Sequence, residues 1–63
     1  MSVRDFLQLW RGNFEIINQD TAIICMDMMD PMYESLKCKI IDLAWFLCDK
    51  ENNDHIMIIK VDI

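Results

Sequence analysis

Residues 37–49 read K-C-K-I-I-D-L-A-W-F-L-C-D, and the architecture of the chain depends on whether this run is a strand or a helix. As a strand it alternates its apolar side chains between two faces, with Ile41, Leu43, Trp45 and Leu47 on one and Ile40, Ala44 and Phe46 on the other. As a helix continuing from Pro31, residues 31–49 form an apolar stripe that is equally regular. Periodicity alone does not separate the two structures for a short apolar run. We predict a strand and keep one long helix over residues 31–49 as the alternative.

The runs on either side supply partners for such a strand. After it, residues 56–63 (I-M-I-I-K-V-D-I) are rich in β-branched side chains, and the polar residues 50–54 predict a hairpin between the two runs. Before it, residues 14–18 (F-E-I-I-N) and 21–28 (T-A-I-I-C-M-D-M) predict a second hairpin that turns at Asn18, Gln19 and Asp20. Four strands are therefore expected, joined in antiparallel pairs.

Helix-capping residues predict two helices. Ser2 can cap a first helix, and Asp5 places a carboxylate near its positive end. The apolar side chains of this segment are spaced as on one helical face, at Val3, Phe6, Leu7 and Trp10. Gly12, the only glycine of the chain, is expected to end this helix. Asp30 followed by Pro31 predicts the start of a second, short helix.

Together these elements predict a single α+β domain over residues 1–63. Its order is α-β-β-short α-β-β, with the N-terminal helix packed on one face of a small, mostly antiparallel, four-stranded sheet. The opposite face is expected to carry Ile and Phe side chains without a helix to cover them. Apolar area left in water forfeits about 25 cal/mol per Å², so we expect a partner or a second copy on that face.

Composition narrows the class of protein. Hydrophobic residues make up 54% of the 63 residues, above the ~45–50% of typical soluble domains, and so small a domain buries only about 60% of its unfolded surface. A homodimer or a bound partner is therefore expected. The net charge of −5 argues against nucleic acid and anionic membranes and favours a basic protein partner. With no signal peptide and no apolar run of ~18 residues, we expect no membrane association and a cytoplasmic location.

The stretch C-D-K-E-N-N-D-H, residues 48–55, is the one candidate metal site. In a hairpin Cys48 and His55 stand opposite each other, and thiolate and imidazole are ligands that zinc prefers. A complete site of three cysteines and the histidine conflicts with the topology, because Cys38 and Cys48 lie roughly 33 Å apart along one strand. A smaller zinc site would add a carboxylate from Asp49, Glu51 or Asp54. The prediction is a solvated turn without a cofactor, with a zinc-stabilised mini-domain as an alternative.

The same residues do not support catalysis. Three cysteines without framework spacing indicate reduced thiols in a cytosol. Cys48 and His55 are the one pair that could act as nucleophile and base. The sequence offers no oxyanion-stabilising motif and little room for a substrate pocket, so the protein is predicted not to be an enzyme.

A second stretch, M-D-M-M-D-P-M-Y-E (residues 26–34), interleaves methionines with acids. Methionine suits adaptable contact surfaces, and carboxylates around apolar anchors complement a basic groove. The alternative is a capped helix start with solvated acids. The carboxylates predicted to bind a partner, from this stretch and from the hairpin turn, are Asp27, Asp30, Glu34, Asp49, Glu51 and Asp54.

The order of elements, from S-V-R-D-F-L-Q-L-W through D-P-M-Y-E-S-L to I-M-I-I-K-V-D-I, resembles that of small proteins of bacterial phages and mobile elements. Among these are the anti-CRISPRs, small and often acidic proteins that bind a Cas effector. The resemblance implies an inhibitor that acts in the bacterial cytoplasm and blocks guide or target loading on a basic channel of a Cas9-type effector. It carries no functional residue over to this chain. The alternative function is a small homodimeric structural or regulatory subunit that uses the uncovered sheet face.

Overall fold

The computed structural model describes residues 1–49, 51 and 54–63, with Asp49 and Asp54 described by backbone alone. The elements in chain order are α1 (Val3–Leu7), β1 (Asn13–Ile17), β2 (Ile23–Cys25), α2 (Pro31–Leu36), β3 (Ile41–Asp49) and β4 (Asp54–Val61). The predicted α+β class and element order are confirmed. The alternative of one helix over residues 31–49 is wrong, because the helix ends at Leu36 and a nine-residue strand begins at Ile41.

The four strands form one sheet in the order β2-β1-β4-β3. The pairs β1–β2 and β3–β4 are antiparallel, as the two predicted hairpins require, whereas the central pair β1–β4 is parallel. The parallel pair arises because α2 lies between the two edge strands in sequence, so that the chain leaves one edge at β2 and re-enters the sheet at the other edge as β3. The sheet is therefore mixed.

Both helices pack on the same face of the sheet. Val3 and Leu7 of α1 and Leu36 of α2 are buried against sheet residues of one face, namely Phe14, Ile16, Cys25, Ile59 and Val61. The predicted caps hold these short helices in place. The Ser2 hydroxyl accepts a hydrogen bond from the Asp5 N–H at 3.2 Å, and the Asp30 carboxylate accepts one from the Met32 N–H at 2.9 Å. Neither described helix is long and apolar enough to cross a membrane.

Two predicted elements are shorter than expected. The first helix ends at Leu7 with Gln8 as its C-cap, so Gly12 does not terminate it. The second strand covers Ile23–Cys25 rather than residues 21–28. Its start is delayed by a turn in which Thr21 has a left-handed backbone, with φ of 63°, and in which the Asn18 side-chain oxygen accepts hydrogen bonds from two later backbone N–H groups.

One face of the sheet is not covered by a described helix, as predicted, but the prediction that Phe46 lies on that face is wrong. Phe46 lies on the helix side, where its ring contacts that of Trp10 edge-to-face with centroids 5.2 Å apart. A bulge at Asp42 also moves Ile41 to the helix side, where it packs against the core. The uncovered face carries Leu43, Trp45 and Leu47, which are 55%, 39% and 51% exposed.

Candidate functional site

Three strands place their termini at one end of the sheet. Asn13 at the start of β1 and Leu47 near the end of β3 both pair with Ile56 near the start of β4. We call this end of the sheet, marked by these three residues, the turn end. β3 ends here at Asp49 and β4 begins here at Asp54, and the residues just before β1 lie here too.

A cleft of about 330 Å³ opens at the turn end. It is lined by residues 10–14, which lead into β1, and by residues 26–28, which follow β2. The Trp10 indole N–H donates a hydrogen bond to the Asn13 carbonyl at 2.8 Å and so holds the ring in place. Gly12 lies directly under this ring, because a Cβ atom built on it would lie 2.6 Å from Trp10 Cζ2. The cleft wall therefore requires glycine for space and not for backbone conformation.

Asp27 at this cleft, and Asp30 three residues later, are both held by hydrogen bonds from the backbone. Asp27 is one of the cleft residues, and its Oδ1 accepts a hydrogen bond from the Met29 N–H at 2.9 Å. Asp30 accepts the equivalent bond from Met32 at the start of α2. The hypothesis of a capped helix start is thus confirmed for Asp30. Capping orients the carboxylate and does not prevent it from also facing a partner.

Four methionines flank these two carboxylates in the sequence. Met26, Met28, Met29 and Met32 are all exposed, and Met29 reaches 88%. A run of exposed, unbranched apolar side chains adapts to many shapes. The acidic, methionine-rich stretch predicted from the sequence is therefore a surface of the folded chain, with one part of it lining the cleft.

Glu34 is less suited to a partner than the sequence suggests. Its carboxylate forms an ion pair with the Lys37 ammonium at 2.8 Å, on the exposed side of α2. The hydrogen bond and charge of Glu34 raise the pKa of Lys37. Because Lys37 offsets part of the negative charge locally, Asp27 and Asp30 are the stronger candidates in this stretch.

The remaining predicted carboxylates belong to the hairpin turn. Asp49 and Asp54 pair directly across β3 and β4, so their backbones lie at the turn end, and Glu51 is exposed. The side chains of Asp49 and Asp54 lie outside the described residues. The turn end therefore brings Asp27 and the backbones of Asp49 and Asp54 to the same end of the sheet.

Cys48 and His55 are direct partners across β3 and β4, as predicted. The His55 ring stacks on Phe46, with centroids 5.4 Å apart and an interplanar angle of 26°. Among residues 1–49, 51 and 54–63, no group of three or more His, Cys, Asp or Glu side chains could hold a metal ion. The smaller zinc site with a carboxylate from the turn stays the alternative to a solvated turn without a cofactor.

The three cysteines occupy different environments. Cys25 is buried in the core, whereas Cys38 and Cys48 are exposed. Burial raises the pKa of the Cys25 thiol, and the nearby carboxylates of Asp30 and Asp27 raise it further. The thiol is therefore protonated at neutral pH and acts as a core side chain, as expected for free cysteine.

The sequence did not predict the cleft. Trp10 was expected on the apolar stripe of a helix and Gly12 at the helix end. The structure instead uses the two together as one wall of the cleft. The one local signal is the separation of an aromatic residue and the only glycine by a single residue, and this spacing does not by itself predict a close contact.

Comparison of the chain with protein-family models, with curated protein sequences and with solved structures gave no match.

Proposed function

We propose that the chain is a non-enzymatic protein-binding inhibitor that uses its turn end to occupy a basic surface of its partner. The observation that carries this proposal is the pair of backbone-held carboxylates, Asp27 and Asp30, within a run of exposed methionines beside the cleft. A carboxylate already fixed by a hydrogen bond loses little conformational entropy when it meets a basic side chain.

The two components of this surface have different roles in binding. The negative charge steers a basic partner towards the turn end and sets the orientation of the encounter. The methionines and the apolar wall formed by Trp10 and Phe14 then supply area that is removed from water. A lysine or arginine side chain suits such a cleft, since its apolar stem packs on the wall while its charge meets Asp27.

The partner class we propose is a bacterial Cas effector of the Cas9 type, and the chain would act as an anti-CRISPR in the host cytoplasm. Such effectors hold a guide–target heteroduplex in a positively charged channel. A chain with net charge −5 would bind part of that channel and exclude nucleic acid. Support comes from the charge of the chain, from its exposed acidic and methionine side chains and from the order of its elements.

The experiment uses substitutions that change charge without changing shape. In the double variant Asp27→Asn and Asp30→Asn, the side-chain oxygens still accept the bonds from Met29 and Met32, because Asn caps as well as Asp. Each lost charge pair is worth roughly 0.2–1 kcal/mol, so we expect affinity for a purified Cas9-type effector to fall about two- to thirtyfold. The salt dependence of binding should become shallower.

A matched control removes two acids from the opposite end of the sheet. Asp20 and Asp62 are both exposed and lie beyond the ends of β1 and β4, so Asp20→Asn with Asp62→Asn changes the net charge equally. We expect this control to bind nearly as well as the unmodified chain. Equal losses in both double variants would refute the turn end as the binding surface, and failure of the unmodified chain to bind effectors with or without guide would refute the proposed partner.

A further inference from the structure

The strand β3 forms one edge of the sheet and is unusual for an edge strand. It covers nine residues, Ile41–Asp49, whereas the opposite edge strand, β2, covers three. Residues 43–48 (L-A-W-F-L-C) are uncharged and lack proline. Edge strands of natural proteins are usually short or carry lysine or proline, because unpaired backbone groups at an edge recruit other strands.

The N-terminus of the chain already protects one part of this edge. The Ile41 N–H donates to the Met1 carbonyl at 2.9 Å, and Ser2 forms a bridge with Ile40. The bulge at Asp42 separates this protected part from the rest of the strand. The edge that is free to pair therefore extends from Leu43 to Asp49, and its middle residue is Phe46.

We infer that β3 pairs antiparallel with β3 of a second copy, with the two-fold axis at Phe46, and joins two sheets into one of eight strands. The strand is self-complementary in this register, because Trp45 would lie opposite Leu47 of the second copy on the uncovered face. Asp49 would lie opposite Leu43. Moving the axis to the point between Trp45 and Phe46 would instead place Asp42 opposite Asp49, and like charges directly opposite are destabilising.

The area available agrees with a weak, reversible dimer. The exposed fractions are 55% for Leu43, 39% for Trp45, 47% for Phe46 and 51% for Leu47. At roughly 150–250 Å² for a large side chain, these side chains can contribute at most about 400 Å² per copy, to which the backbone edge adds. Standard interfaces bury about 800 Å² per partner, and interfaces below this size are typically weak. We therefore expect a dissociation constant in the micromolar range.

The edge of β3 reaches the turn end at Leu47 and Asp49 but does not include the cleft lined by Asp27. Pairing through residues 43–49 involves neither Asp27 nor Asp30, so the inference stands without the proposed function. The Asp27→Asn and Asp30→Asn variant is expected to dimerise like the unmodified chain.

The first test measures mass in solution between about 5 and 500 μM, by sedimentation and by native mass spectrometry. We expect the mass to rise from one copy to two across this range. Leu47→Lys places a charge on the free edge and should keep the chain monomeric. Leu9→Lys is the matched control, since Leu9 is 76% exposed in the turn after α1, and it should dimerise normally. A monomer at 500 μM, or dimerisation that Leu47→Lys leaves unchanged, would refute the inference.

A cross-linking test remains decisive if Leu47→Lys fails to fold. With Cys38 and Cys48 replaced by Ser and the buried Cys25 retained, Phe46→Cys places one thiol at the proposed axis. Directly opposite residues have Cβ atoms ~4.5–5.5 Å apart, so mild oxidation should give a disulfide-linked dimer. Leu9→Cys in the same background should not cross-link at a comparable rate. Equal rates for the two thiols would overturn the proposed pairing.

Discussion

Replacing Gly12 by alanine tests the wall of the cleft. Gly12 has no positive φ, so its backbone conformation suits alanine, and restriction of the unfolded chain alone would make Gly12→Ala stabilising by about 0.4–1 kcal/mol. Packing predicts the opposite sign. The new Cβ would lie 2.6 Å from Cζ2 and 2.9 Å from Cε2 of Trp10, against the 3.5–4.0 Å of an ordinary carbon–carbon contact, so the ring has to move by about 1 Å.

Displacing the Trp10 ring weakens two interactions. Its hydrogen bond to the Asn13 carbonyl, 2.8 Å long, contributes about 0.5–1.5 kcal/mol, and its edge-to-face contact with Phe46 contributes a similar amount. After subtracting the gain from the unfolded state, we expect Gly12→Ala to lower the free energy of unfolding by about 1–2 kcal/mol. For a domain of this size the melting temperature should fall by roughly 5–15 °C.

The assay is urea unfolding followed by far-ultraviolet circular dichroism at 25 °C. The control repeats Gly12→Ala in a Trp10→Ala background, where the ring is absent and the substitution should be neutral or stabilising. The coupling between the two substitutions, obtained from the double-mutant cycle, should then be about 1–2 kcal/mol or more. A stabilising effect in the unmodified chain, or equal effects in both backgrounds, would refute the close contact between Gly12 and Trp10.

Three further predictions concern the core, a cap and a buried thiol. The Leu36 side chain is only 1% exposed, so Leu36→Ala should lower the free energy of unfolding by about 2–5 kcal/mol in the same urea assay. A loss no larger than that caused by Leu9→Ala, at an exposed side chain, would contradict the placement of α2. Asp30→Ala should cost about 0.5–2 kcal/mol and Asp30→Asn only a few tenths, whereas equal melting temperatures for the two would contradict the cap. Burial raises the pKa of Cys25 in the folded state, so the folded chain keeps the thiol proton at a pH where the unfolded chain loses it. The stability that this proton contributes is therefore complete below pH ~8.5 and declines above it. Cys25→Ala should therefore lose less stability than the unmodified chain between pH 8 and 10, and an identical decline would contradict the assignment.

Local signals in the sequence predicted the helix starts correctly. The Ser2 hydroxyl accepts a hydrogen bond from the Asp5 N–H, and the Asp30 carboxylate, just before Pro31, accepts one from the Met32 N–H. Both bonds join residues at most three apart, so their effect does not depend on the rest of the fold. Runs rich in β-branched residues also predicted β1, β2 and β4 as strands. These features are determined by neighbouring residues and can be read without knowledge of tertiary contacts.

The remaining features depend on contacts between distant residues. Whether residues 41–49 are strand or helix is determined by pairing with β4, which periodicity does not encode. Contacts between distant residues also determine which face of β3 the helices cover. The bulge at Asp42 moves Ile41 away from the face that strict alternation assigns to it. No residue spacing in the sequence predicts the parallel pairing of β1 with β4 or the contact of Trp10 with Gly12. The carboxylates of the turn end could be named from composition, but their hydrogen bonds and the cleft could not.

Hydrogen–deuterium exchange tests most directly whether the turn end is the surface that meets a basic partner. The chain would be measured alone and with a saturating excess of a Cas9-type effector, with and without guide RNA. We expect slower exchange of backbone amides in residues 26–34 on binding, including those of Met29 and Met32, and unchanged exchange in residues 18–22 at the opposite end. Protection confined to residues 18–22, or unchanged exchange throughout the chain, would contradict this expectation.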